Sequence, residues 1–143
     1  RIPGVLETGD RLGWRAALWS GGPGPSECIV IDVHGVLPRV YPLGDAAFLG
    51  GTVAPMGGHN ILEPLAGGLP VLVGPHHGNH ASVVREGVAA GVVAVVEEPG
   101  DAAAVLLKWS GTGGMGETAR RLARRGEELF DSRLSELLEE LLV

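Results

Sequence analysis

Residues 45–74 read DAAFLGGTVAPMGGHNILEPLAGGLPVLVG, and the order of residue types along that stretch decides the fold. A short apolar run, Ala46 to Leu49, stops at the pair Gly50-Gly51. A loop containing a second pair, Gly57-Gly58, leads into Asn60 to Ala66, which reads as a helix. A second apolar run, Pro70 to Val73, follows and stops at Gly74. Neither run alternates polar with apolar residues. Strands that are apolar throughout are buried on both faces, as in a parallel sheet covered by helices.

The same alternation continues outward in both directions. Trp14 to Trp19, Cys28 to Val33 and Val92 to Val96 read as further strands. Val5 to Leu12, Leu37 to Leu43, Ala81 to Ala90 and Ala102 to Trp109 read as helices, the second weakened by Pro38 and Pro42. Strands alternating with helices predict right-handed crossovers and a Rossmann-like α/β domain, a parallel sheet flanked by helices, over residues 1–116. Gly111 to Gly116 reads as a hinge. Beyond it Leu122, Leu129, Phe130, Leu134, Leu137, Leu138 and Leu141 recur at three- and four-residue spacing. Residues 117–143 therefore read as one amphipathic helix, or two broken near Asp131-Ser132. Its stripe packs either on this domain or on an N-terminal domain outside the chain.

The totals narrow the function classes. A length of 143 residues suits one domain with a real core, and the 24 glycines punctuate apolar runs rather than a polar tract. The formal charge of −6 argues against a general nucleic-acid binder. Arg120, Arg121, Arg124 and Arg125 lie among Glu117, Glu127 and Glu128 and read as a solvated helix face. Cys28, the one cysteine, has no partner for an internal disulfide and reads as a buried thiol. No apolar run approaches the roughly 18 residues that span a bilayer, and no stretch reads as a signal peptide. Arg1 opens the chain, as in a processed protein or an excised fragment.

The loop between the two central runs carries the chemistry. Its glycines let backbone approach a ligand closely, and N–H groups at a helix start suit a phosphate. Gly57, Gly58 and the first-turn amides thus form a candidate cradle, with Asn60 as N-cap and Glu63 placed to accept hydrogen bonds from ribose hydroxyls. Asn-x-x-Glu is equally a capping box, in which the two residues satisfy each other's backbone donors without a ligand. His59 either meets a phosphate or sugar carboxylate or packs on the loop. His76 follows a strand end, where ligands of open α/β sheets bind. Its neighbours Gly74-Pro75 and Gly78 put it in a loop, so it reads as site lining rather than part of a metal centre, and His77 and His80 read as surface or helix-start residues. Asn79 and Ser82 read as helix-start residues, with Asn79 turned toward the site. Asp32 ends a strand and either touches ligand or caps a turn. Trp14, Trp19 and Trp109 read as core or interface anchors.

Taken together, Asp32-Val33-His34-Gly35-Val36-Leu37, Tyr41, Asp45 to Gly51, Gly57 to Pro64 and Pro70 to His76 resemble the donor-binding domain of the 3-deoxy-D-manno-octulosonic acid (Kdo) transferase family over about residues 28–98. The resemblance implies the C-terminal half of a two-domain GT-B glycosyltransferase of lipopolysaccharide biosynthesis. Such an enzyme moves Kdo from CMP-Kdo to a lipid A precursor at the cytoplasmic face of the inner membrane, with no metal and no cofactor. It also implies nucleotide contacts at Asn60, Ile61, Leu62 and Glu63, and at His34, Gly35 and Val36, which stand where the family has Met-Gly-Glu. Valine accepts no hydrogen bond, so one contact is missing. Arg1 falls on a nucleotide-contacting arginine of the family, which would leave the first strand of the domain outside this chain. The family's general base lies in the N-terminal acceptor domain, so the resemblance assigns no catalytic residue here. Two other readings stay open. One is a GT-B transferase or epimerase using a UDP-sugar; the other is a non-catalytic module docking through its C-terminal helix.

Overall fold

The computed structural model describes residues 2–22, 24–55 and 59–141. Its elements run α1 (Ile2–Arg11), β1 (Ala16–Leu18), β2 (Cys28–Val30), α2 (Leu37–Val40), β3 (Ala47–Leu49), α3 (Leu62–Ala66), β4 (Val71–Val73), α4 (Ala81–Ala89), β5 (Val93–Val95), α5 (Pro99–Ser110) and α6 (Met115–Leu141). Each strand expected from the sequence is present, trimmed to three residues. The chain divides into two compact units, Arg1–Leu37 and Pro38–Val143.

In the second unit three parallel strands lie in the order β3-β4-β5. Ala47 pairs with Val71 and Val71 with Val93, so the strand ends stay level. Val71, Leu72 and Val73 are all fully buried, as expected of an uninterrupted apolar central strand. The helices cover them. Ile61 and Leu65 from the α3 turn, Val84 from α4, and Ala119, Leu122 and Ala123 from α6 form one core with Val71, Val73, Val92 and Val93. Burying a side chain the size of Ile61 or Leu65 contributes about 1.5–3 kcal/mol. α6 comes very close to α3, since a β-carbon on Gly126 would lie 2.8 Å from Leu62 Cδ2.

In the first unit β1 and β2 pair in parallel, with Ala16 opposite Cys28, and α1 packs against both. Several local expectations change. Leu37 to Leu43 splits into α2 and a 3-10 turn, Tyr41–Leu43, because Pro42 withholds an N–H from the helix. The hinge is shorter than its glycines suggested, since α6 already starts at Met115, and that helix runs through Asp131-Ser132 without a break. Leu129, Phe130 and Leu134 on its distal half are exposed, while Ala119, Leu122 and Ala123 are buried. Cys28 is half-buried rather than buried, because its short strand has only one neighbour in its sheet. Trp14 and Trp19 are exposed and belong to no core.

Candidate functional site

Asn60 shapes the start of α3. Its side-chain Oδ1 accepts the N–H of Leu62 at 3.0 Å, an Asx-type turn that takes up one first-turn donor. The expected capping box does not form: the N-cap of α3 is Ile61 rather than Asn60, and the Asn60 side chain meets the N–H of Leu62 and not that of Glu63. Among the described residues no hydrogen bond joins the Glu63 carboxylate to the Asn60 backbone. Pro64 has no N–H to give. No described residue accepts a hydrogen bond from the N–H of Ile61 or Glu63. α3 has five residues, too short for a large macrodipole, so any anion here would be held by local N–H groups. Ile61 is 1% exposed, so its side chain belongs to the core and only its backbone can meet a ligand.

Glu63 is exposed and lines a cleft of about 490 Å³ together with Asn60, Leu62, Tyr41, Gly67 and Arg120. The Tyr41 hydroxyl is held above its ordinary pKa, first by burial and then by the negative charge of Glu63. Arg120 comes from α6, and its guanidinium lies over Gly68, where a β-carbon would sit 2.5 Å from Nη2. With Glu127 also lining it, the cleft sets two carboxylates, a phenol and a guanidinium around one opening. Arg120 had read as one of a solvated set. Only the packing of α6 on α3 selects it, and no local pattern distinguishes it from Arg121 or Arg124.

The strand ends beside this turn are tied together. The Thr52 hydroxyl donates to the Leu49 carbonyl and accepts the Gly74 N–H at 2.6 Å, and the Thr52 carbonyl accepts the His76 N–H at 2.9 Å. His76 is exposed past the end of β4, and the His77 ring Nδ1 lies 2.8 Å from the Gly74 carbonyl. The His59 ring rests on Gly51, where a β-carbon would come within 2.9 Å of Cδ2. Asn79 lies in the 3-10 turn Gly78–His80. His80, in the same turn, has its pKa lowered by burial. Among the described residues no three His, Cys, Asp or Glu side chains converge as a metal site would require. Gly57, Gly58 and Arg1 lie outside the described residues.

The first unit has its own recess, of about 420 Å³, lined by His34, Gly35, Asp32, Ile31, Val33 and Ile2. Gly35 has φ of +79°, a backbone conformation that L side chains adopt only under strain. Val36, half-buried, is not among the lining residues. Asp32 is engaged locally: its carboxylate accepts the Ser20 hydroxyl, and the Ser20 N–H at 2.9 Å. Those bonds, the hydroxyl's first, hold its pKa below the usual carboxylate value. Asp32 thus joins the ends of β1 and β2.

Parallel strands flanked by helices define a Rossmann-like α/β fold, that of the C-terminal half of a GT-B glycosyltransferase. No family model matches the chain. It is 41% identical over 78 residues to the 3-deoxy-D-manno-octulosonic acid transferase of Bordetella pertussis, covering 54% of this chain and 18% of that one. With the transferase of the same name from Chlamydia pneumoniae it shares 45% over 75 residues, covering 50% and 17%. The chain thus matches less than a fifth of the length of these relatives. The crystal structure of the C-terminal CMP-Kdo binding domain of WaaA from Acinetobacter baumannii superposes with a TM-score of 0.73 at 26% identity, over 87% of this chain and 67% of that one. In sequence and in fold, this chain is similar to the C-terminal domain of the Kdo transferases. No helix among the described residues is long and apolar enough to cross a membrane.

Proposed function

We propose that this chain is the donor-binding domain of a Kdo transferase and that it holds the cytidine monophosphate part of CMP-Kdo. The observation that carries the reading is the Asn60–Glu63 turn. No capping box forms there, and among the described residues the Glu63 carboxylate has no partner and lines a cleft. The likeness to a domain named for CMP-Kdo binding supports the same ligand.

In this reading Glu63 accepts hydrogen bonds from the ribose hydroxyls. The backbone N–H groups at the start of α3 are the phosphate's candidate partners, as are Gly57 and Gly58, which lie outside the described residues. When the bond between the sugar's anomeric carbon and the phosphate oxygen breaks, the electron pair stays on the phosphate. Fixed donors that meet the growing charge lower the barrier. His59, His76 and Asn79 are the candidate contacts for the sugar carboxylate or phosphate, and Arg1, His34, Gly35 and Val36 are the further nucleotide contacts that the resemblance implies. The acceptor, a lipid A precursor, and the general base that activates its hydroxyl belong to an N-terminal domain. The full enzyme would work at the cytoplasmic face of the inner membrane. The reading includes no metal and no cofactor.

Calorimetric titration with CMP and with UDP tests it. Weak CMP binding, a preference for CMP over UDP and no transfer by the chain alone are expected. No heat with millimolar CMP overturns the proposal; a preference for UDP moves it to a UDP-sugar enzyme.

A further inference from the structure

Thr52 is 1% exposed, a polar side chain inside an otherwise apolar core. A buried hydroxyl is tolerated when both its donor and its acceptor are used. Here both are, and both partners are backbone groups at the ends of adjacent parallel strands. The Oγ1 hydrogen goes to the Leu49 carbonyl that closes β3, and an Oγ1 lone pair takes the Gly74 N–H that follows β4. The Thr52 carbonyl takes a third bond from the His76 N–H at 2.9 Å. The two segments could not be this close with any other residue at 74. A β-carbon on Gly74 would lie 2.5 Å from the Thr52 oxygen and 2.7 Å from the Val53 Cα. Two independent features, a saturated buried hydroxyl and backbone-to-backbone contact, therefore lock the Gly50–Thr52 segment to the Gly74–His76 segment.

Both segments leave the sheet at strand C-termini, where open α/β sheets take their ligands. The first continues to His59 and Asn60 and the second presents His76. We propose that Thr52 is a positioning residue for the donor site: with no contact to the nucleotide, it sets the relative place of these two segments, and with it the affinity for CMP. The inference rests on the proposed function. Hydrogen-bond donors lose strength steeply with misplacement, so a small shift of one segment is felt at the phosphate.

Two substitutions test it by calorimetry with CMP. Thr52→Val keeps the volume and loses the hydroxyl, whereas Thr52→Ser keeps the hydroxyl. Roughly tenfold weaker CMP binding is expected for Thr52→Val, the scale of one charge-assisted hydrogen bond. Thr52→Ser should stay close to the parent. Both are measured well below their melting temperatures, so that a stability loss alone does not register. A second measurement needs no variant: amide hydrogen exchange of the parent chain with and without saturating CMP. Exchange at Gly74 and His76 is expected to slow together with that of residues 50–60. Equal CMP affinity in folded Thr52→Val, or protection confined to one segment, overturns the positioning role while leaving CMP binding intact. A parent chain that binds no CMP sinks the donor reading, and Thr52 then has nothing to position.

Discussion

Replacing Glu63 by alanine separates ligand binding from folding. Within the described structure the Glu63 carboxylate makes no hydrogen bond or ion pair, and it is exposed in a cleft. Its contribution to the fold is limited to an acidic group in the first turn of α3, a helix of five residues and so with little macrodipole to complement. If it grips ribose hydroxyls, its removal costs binding about 1.5–3 kcal/mol per hydrogen bond to a charged group, roughly ten- to a hundredfold in Kd. The expected variant thus melts close to the parent and binds CMP at least tenfold more weakly by calorimetry. The same variant carries an internal check. Tyr41 is the one tyrosine of the chain, so its ionisation can be followed by ultraviolet absorbance without ambiguity. Glu63 is the second cause of its raised pKa, so Glu63→Ala should lower that pKa while burial keeps it above the ordinary value. Unchanged CMP affinity together with a lowered Tyr41 pKa would refute the ribose role. It would show that the carboxylate faces the cleft without serving a ligand.

Leu65, 0% exposed between sheet and α6, should cost about 2–5 kcal/mol of stability as Leu65→Ala, read as a lower denaturant midpoint at constant slope. Two groups with lowered folded-state pKa values make stability fall toward acid, in separate windows. The unfolded chain takes up His80's proton first, so stability is full above the ordinary value of 6.5 and falls below it until the folded-state pKa is passed. Asp32 acts the same way from 3.8 downward, and Asp32→Asn should flatten only that lower limb of a melting-temperature profile against pH. Removing divalent ions with EDTA should leave CMP binding unchanged; a loss restored by adding metal would contradict the metal-free reading.

What the sequence determined by itself follows from short-range physics. Uninterrupted apolar runs such as Val71-Leu72-Val73 must lie inside a sheet with both faces covered, and the glycines after Leu49 and Val73 must end strands. Thus the order of elements and the turn that carries Asn60 and Glu63 were legible residue by residue. Asn60's role as a local cap was legible only in kind: its side chain makes an Asx turn to Leu62, two positions on, and the N-cap itself falls on Ile61. The rest depended on contacts between residues far apart in the chain. Arg120 looks like its neighbours until α6 packs on α3 and brings it over Gly68, into the cleft that Glu63 also lines. Thr52 looks like a loop residue until the register of β3 on β4 sets its hydroxyl against Gly74, 22 positions away. Periodicity tells which face of an element is buried; only the packing of one element on another decides which side chains meet there.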